Sequence, residues 1–238
     1  MSNRRYVLLI GGVLAVAVAP LGYRTGLLPV LPALGLLAVG LLVSLWMLAV
    51  GVLWTLRRRS SVQRQNLTAV VLALAAGVVV VPQATIYQAI GAPVIHDITT
   101  DTEDPPQFDA IVEVRADAPN PLDYGGPEVA AAQHAAYPDI QPIVVAHAPH
   151  EVVEMVRATV QELGWEIVAV NAEAGLIEAT DTTYWFGFKD DVAVRLRPVG
   201  AGATRVDVRS ISRVGGGDLG ANAARIRRFL VRLRAVTG

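Results

Sequence analysis

"VAVRLRPVGAGATRVDVRSISRV", residues 192–214, reads as two strands of one sheet. Two strand-like runs flank the break "VGAGA" at 199–203, a hairpin signal. Side chains on a strand alternate between faces. Val192, Val194 and Leu196 therefore point one way, and Asp191, Arg195 and Arg197 the other. In the second run Val206, Val208, Ser210 and Ser212 share a side, opposite Arg205, Asp207, Arg209 and Arg213. The pattern predicts one apolar face turned to a core and one charged, solvent-exposed face carrying a cross-strand ladder. Opposite charges in such a ladder contribute roughly 0.2–1 kcal/mol per pair.

Working outward, the spacing predicts two more strands upstream, Trp165–Val170 and Leu176–Thr183, separated by "NAEAG". Before them, "PHEVVEMVRATVQELG" (149–164) reads as a helix with Pro149 in its first turn and Gly164 after its last. Val152, Val153, Val156, Val160 and Leu163 supply its apolar face. Downstream, an amphipathic helix runs from Leu219 to about Val236, with Asp218 as its N-cap after Gly215-Gly216-Gly217. Earlier still, "FDAIVEV" (108–114) and "QPIVVAHA" (141–148) read as strands and "PEVAAAQHAAY" (127–137) as a short helix. "APVIHDITTDTEDPPQF" (92–108) reads as a solvated acidic linker. The expected domain is α+β, a mostly antiparallel sheet packed against helices. Its element order loosely resembles the helix-grip lipid-binding folds.

Charge is segregated along the chain. Residues 1–92 hold seven Arg and no acid, 93–181 hold 17 acids against two bases, and 182–238 hold 11 bases against four acids. The net charge of −1 conceals this, and the last two segments can neutralise each other in the fold. With no Cys, disulfides, thiolate metal sites, Cys nucleophiles and iron–sulfur clusters are excluded.

The first 92 residues form a membrane region. Apolar runs at about 6–21, 33–56 and 67–87 predict three transmembrane helices, the first retained rather than cleaved as a signal peptide. Arg4 and Arg5 precede the first run, and Arg57, Arg58, Arg59 and Arg64 fill the loop between the second and third. Only Arg24 lies between the first two. The positive-inside bias then predicts a multi-pass protein of a bacterial inner membrane. Its amino terminus is cytoplasmic, and residues 93–238 form an extracytoplasmic domain.

The chain also resembles the family called domain of unknown function 1499. The residues that carry the resemblance are "HDITTDTEDPPQF" (96–108), "AYPDIQP" (136–142), "FGFKDDVAVR" (186–195) and "DVRSISRVGGGDLGANAARI" (207–226). They occur in order over about 94–236, outside the apolar amino terminus. The resemblance implies an envelope or organelle setting and no established activity.

Chemistry is thinly signalled. Ser210 and Ser212 are the only serines after residue 93, and neither sits in a GxSxG elbow. Their apolar-side position predicts buried hydroxyls bonded to backbone. Asp190 and Asp191 are adjacent, so on a strand their carboxylates diverge. His147 and His150 are separated by Ala148-Pro149, which works against a shared metal-binding face. Asp101, Glu103 and Asp104 are hard oxygen donors without the spacing of a calcium loop. Gly215–Gly217 with Arg213 and Arg225 could offer an anion backbone N–H groups, against the competing Asp218 carboxylate. Arg225, Arg227, Arg228, Arg232 and Arg234 give the last helix a basic face suited to solvent or to an anionic membrane surface.

The expectation is a non-enzymatic envelope protein with no cofactor, catalytic residue or metal. Its partners would be the bilayer and a phospholipid or envelope protein, not nucleic acid. The candidate binding residues are Asp191, Arg195, Asp207, Arg209, Arg213, Asp218, Asn222 and Arg225. The alternative is a hydrolase or isomerase with a pocket between sheet and helices, using Asp190, Asp191 and Ser210.

Overall fold

The computed structural model describes residues 3–57 and 91–238, which form two compact units. The first is built on helices α1 (Asn3–Arg24) and α2 (Val30–Arg57). Within α2, Val30–Met47 has a mean hydropathy of 2.3 and is long and apolar enough to cross a membrane. At 28 residues the helix is about 42 Å long. The expected first span, about 6–21, is also helical, within an α1 that continues through Pro20 to Arg24. Its apolar part, Ile10–Arg24, is shorter than α2's. The two helices approach closely at paired glycines. A Cβ on Gly40 would lie 2.9 Å from the Gly12 carbonyl oxygen, and one on Gly12 would lie 3.3 Å from the Gly40 oxygen. The expected third span, 67–87, and the basic loop at 58–64 lie outside the described residues.

The second unit is the α+β domain. Its strands are β1 (Asp97–Thr99), β2 (Ile143–Val145), β3 (Glu166–Asn171), β4 (Leu176–Thr182), β5 (Lys189–Val199) and β6 (Ala203–Ser212). Its helices are α3 (Ile111–Val114), α4 (Gly126–Ala136), α5 (Pro149–Glu162) and α6 (Ala221–Thr237). All strand pairings are antiparallel, in the order β1-β6-β5-β4-β3. β2 also pairs with β6, along Thr204–Val206, while β1 takes Arg209–Ile211. Two short strands thus cover one edge of β6.

The predicted hairpin holds: Val194 lies opposite Val208, and Arg195 opposite Asp207. Val192, Val194, Leu196, Val206 and Val208 enter one core with Val152, Val156 and Val160 of α5 and Ile226, Phe229 and Leu233 of α6. Trp165 stacks on Phe229 at 5.8 Å between ring centroids. Helix α5 starts as its punctuation predicts, with Glu151 accepting from the Ala148 N–H at 3.0 Å. In the β3–β4 turn Gly175 has φ +63°, and a Cβ there would lie 2.5 Å from the Leu196 carbonyl oxygen. Only glycine fits that approach.

Two local expectations fail. Residues 108–114 do not form a strand; Ile111–Val114 is a short helix. The reason is tertiary: the buried Glu178 carboxylate accepts the Asp109, Ala110 and Ile111 N–H groups at 2.9, 2.8 and 3.3 Å. It thereby satisfies the free donors and positive end of the helix from across the fold. Nor is 92–108 simply a linker, since Asp97–Thr99 joins the sheet. The chain from there to about Leu122 crosses the face of the sheet opposite α5 and α6 as a strap.

Candidate functional site

The strap changes the meaning of the charged face. Register places Glu178, Thr180, Asp191, Arg195, Arg197, Arg205, Asp207 and Arg209 on one side of the sheet, as alternation predicts. Much of the face is covered, however: Asp191, Asp207 and Arg209 are each 0% accessible, whereas Arg197 and Arg205 stay partly exposed. Charges removed from water must be paired and hydrogen-bonded. The strap supplies the partners, in three groups.

Arg209 is the middle one. Its Nε and Nη2 donate to the two Asp97 oxygens at 3.0 and 2.7 Å. Nη1 donates to the Pro106 carbonyl at 3.2 Å and Nη2 to that of Leu122 at 2.6 Å. The guanidinium carbon lies 5.2 Å from the Phe108 ring centre and 5.7 Å from that of Tyr124. Burial, together with the Asp97 charge, pushes the Tyr124 phenol up to about 12 against the opposing pull of Arg209. One side chain from β6 thus binds β1, the diproline segment and the far end of the strap.

Towards one end, Arg213 donates from Nε and Nη2 to Asp191 at 2.9 and 2.8 Å, and Arg115 of the strap adds a third bond at 3.2 Å. Thr180 donates to the same carboxylate at 2.8 Å. Burial, with Arg213 and Arg209 nearby, lowers the Arg115 pKa despite Asp191.

Towards the other end, Arg195, Arg197 and Arg205 meet Asp101, Asp104 and Asp207. Their Nη2 atoms lie 3.3, 2.8 and 2.9 Å from a single oxygen, Asp101 Oδ2. Asp207 takes Arg197 at 2.8 Å, Arg195 at 3.3 Å and the Arg205 Nε at 2.8 Å. Burial acts to raise the Asp101 pKa, but the Asp104 N–H, Arg197 and Arg205 hold it below the ordinary value. Asp101 and Asp104 are therefore ion-pair partners, not members of a solvated linker.

The remaining sequence candidates lie on the opposite face. Asn222 is wholly buried. Its oxygen accepts from Ser210 Oγ at 2.7 Å and Arg225 Nη1 at 2.5 Å. Its nitrogen donates to the His96 carbonyl at 2.9 Å and Ser212 Oγ at 3.0 Å. The two serines thus bond to a side chain, where backbone partners are expected. Arg225 continues the chain to Asp190 at 2.5 Å and Asp181 at 2.8 Å. Asp190 and Asp191 do diverge, to Arg225 and to Arg213. Asp218 is not the N-cap expected of it, which is Gly220, but its carboxylate accepts the Gly220 and Asn222 N–H groups, each at 2.8 Å. The helix begins at Ala221 rather than at 219, because Leu219 and Gly220 take φ of 55° and 82°. Burial raises the Asp218 pKa, with help from Asp190 and against the two backbone N–H groups. That carboxylate occupies the helix start where an anion would otherwise sit.

The eight sequence candidates therefore divide between two faces: Asp191, Arg195, Asp207, Arg209 and Arg213 under the strap, Asp218, Asn222 and Arg225 under α6. Asp97, Asp101, Asp104, Arg115, Glu178, Arg197 and Arg205 complete the networks. Arg115 apart, the signal for them was the charge segregation, acids up to residue 181 and arginines after it. Chemically, the arrangement can hold a carboxylate or another oxyanion in guanidinium forks.

Among solved structures, the chain is similar to the adenylate sensor from AMP-activated protein kinase in complex with ZMP. The likeness is at 12% identity, over 39% of this chain and 94% of that one, with a TM-score of 0.33. No curated protein matches the chain. The family described as "Protein of unknown function (DUF1499)" matches residues 97–233, the strap, the whole sheet and most of α6, and the chain belongs to that family.

Proposed function

We propose that this chain is a membrane-anchored, non-enzymatic envelope protein whose α+β domain binds a lipid or protein partner. The observation that carries the reading is the way the domain uses its ionisable groups. Asp190, Asp191, Asp207 and Glu178 are buried and each is committed to arginine or backbone donors. Ser210, the other candidate for the alternative reading, donates to Asn222 and accepts from Arg225. General acid–base work needs a group free to exchange a proton with substrate, whereas guanidinium forks at a partly exposed surface suit recognition. The apolar span at Val30–Met47 and the close glycine approach of α1 to α2 support membrane anchoring. The arginine distribution supports three spans with residues 93–238 outside an inner membrane.

Crosslinking in intact membranes, followed by native mass spectrometry of the full chain, tests the reading. A lipid or one defined envelope protein at constant stoichiometry is the expected result. A chain that carries neither, yet turns over an ester or isomerisable substrate, would overturn it.

A further inference from the structure

We infer that Arg195, Arg197 and Arg205 form a receptor for a phosphate-type oxyanion, and that the Asp101–Asp104 turn is its internal occupant. The inference rests on the partner-binding reading above and names the chemistry of the partner.

Three cationic Nη2 groups converge on one oxygen, Asp101 Oδ2, at 3.3, 2.8 and 2.9 Å. A carboxylate oxygen has two lone-pair sites, so three donors overload it. The Arg195 Nε is buried and has no acceptor among the described residues. A tetrahedral oxyanion presents more acceptor oxygens around one centre and matches converging guanidinium forks better than a planar carboxylate does. Beneath them Asp207, 0% accessible, ties all three arginines to β6 and keeps them aimed when the turn leaves. With the turn displaced, three guanidiniums then stand over one carboxylate.

The turn is bounded by two anchors, and between them it is held by Arg195 at the Asp104 carbonyl, 2.6 Å, and by Thr102 against His134, 2.9 Å. Thr100 is fixed to β6 by its N–H to the Val208 carbonyl at 2.8 Å and by the Val208 N–H to its hydroxyl at 2.8 Å. On the other side Pro105 and Pro106 are buried, and Arg209 holds the Pro106 carbonyl. Between these anchors the Asp104 side chain is 64% exposed, and those of Arg197 and Arg205 are 36% and 34% exposed. Solvent therefore already reaches the side from which a ligand would enter. The ligand class is a phosphate monoester or diester, free or as a lipid headgroup.

The test uses the full chain in detergent micelles, titrated with inorganic phosphate and separately with a short-chain phosphatidic acid. Closure by the turn lowers apparent affinity by the fraction of molecules that are open. The Asp101→Asn/Asp104→Asn double variant is expected to bind phosphate about tenfold or more tightly than wild type. Adding Arg197→Gln and Arg205→Gln is expected to abolish the gain. Should the double variant lose its native circular dichroism, Asp104→Asn alone carries the test, because that side chain is mostly exposed. Phosphate affinity equal in wild type and the folded variant, or a gain that survives loss of both arginines, would overturn the proposal. Tighter phosphatidic acid than phosphate identifies a lipid headgroup, and equal affinities identify a free phosphate. Phosphate binding by a chain that recovers no membrane partner sustains this site and sinks the broader reading. A partner retained undiminished in the arginine variant does the reverse.

Discussion

Arg209 of β6 grips Asp97 of β1 through two parallel bonds, Nε to Oδ1 at 3.0 Å and Nη2 to Oδ2 at 2.7 Å, with both side chains out of water. The remaining Arg209 bonds hold the strap at Pro106 and Leu122. Removing one partner of a buried pair leaves an uncompensated charge and typically costs about 3–5 kcal/mol. Arg209→Ala should therefore lower unfolding free energy by about that amount in denaturant titrations of the full chain. A loss below about 1 kcal/mol, the value of a surface pair, would mean that Arg209 is not the buried anchor described.

Asn222 uses its four side-chain positions on Ser210, Ser212, Arg225 and His96. Asn222→Leu fills similar volume but strands those partners, each at about 1–3 kcal/mol when buried. The variant should be destabilised by about 3 kcal/mol or more. Arg225→Met in the same background should add less than it does alone, because the two share one network. Additive losses would show that the network is not coupled.

How much of this was legible in sequence follows from where each signal resides. Period-two alternation at 192–214 carries the hairpin and both faces, because it is local to the strands. Helix α5 was likewise written in Pro149, Glu151 and Gly164. Alternation says which side a residue takes but nothing about what covers that side. Arg209 and Asp207 thus read as exposed, although the strap buries them. The same blindness made a strand of 108–114, whose helical start depends on Glu178, almost seventy residues away. Asp101 and Asp104 read as a solvated acidic run because their three arginines lie some ninety residues or more downstream. Charge segregation was the one visible trace of these contacts, and it specifies neither pairings nor register.

The Asp101 cluster gives stability a pH dependence of known sign. Its carboxyl sits below the ordinary value in the fold, held there by the Asp104 N–H, Arg197 and Arg205 against burial. The contribution is therefore present above the unfolded value of about 3.9 and lost as pH falls through the lower native value. The stability difference between wild type and Asp101→Asn should be constant near neutrality and shrink below about pH 4. Asp218, raised chiefly by burial, acts oppositely: its contribution favours the fold at low pH and fades as pH rises through its native value. A wild type–variant difference at Asp101 that grows on acidification would contradict the assignment.

The cysteine-free sequence offers a clean background for mapping topology. Glu173→Cys, in the exposed β3–β4 turn, should react with a membrane-impermeant maleimide in intact cells. Ser60→Cys, beside Arg57–Arg59, should react only after lysis. The reverse pattern would invert the proposed orientation.

The strap is locked over the charged face and keeps Asp191, Asp207 and Arg209 out of water. Hydrogen–deuterium exchange of the full chain tests this most directly, at the amides of Asp109, Ala110 and Ile111, which bond to Glu178, and of Thr99, which bonds to Gln133 at 3.0 Å. Protection approaching that of β5 and β6 is the predicted result, with faster exchange confined to residues 101–104. Strap amides that exchange at the rate of an open loop while β5 and β6 stay protected would contradict it.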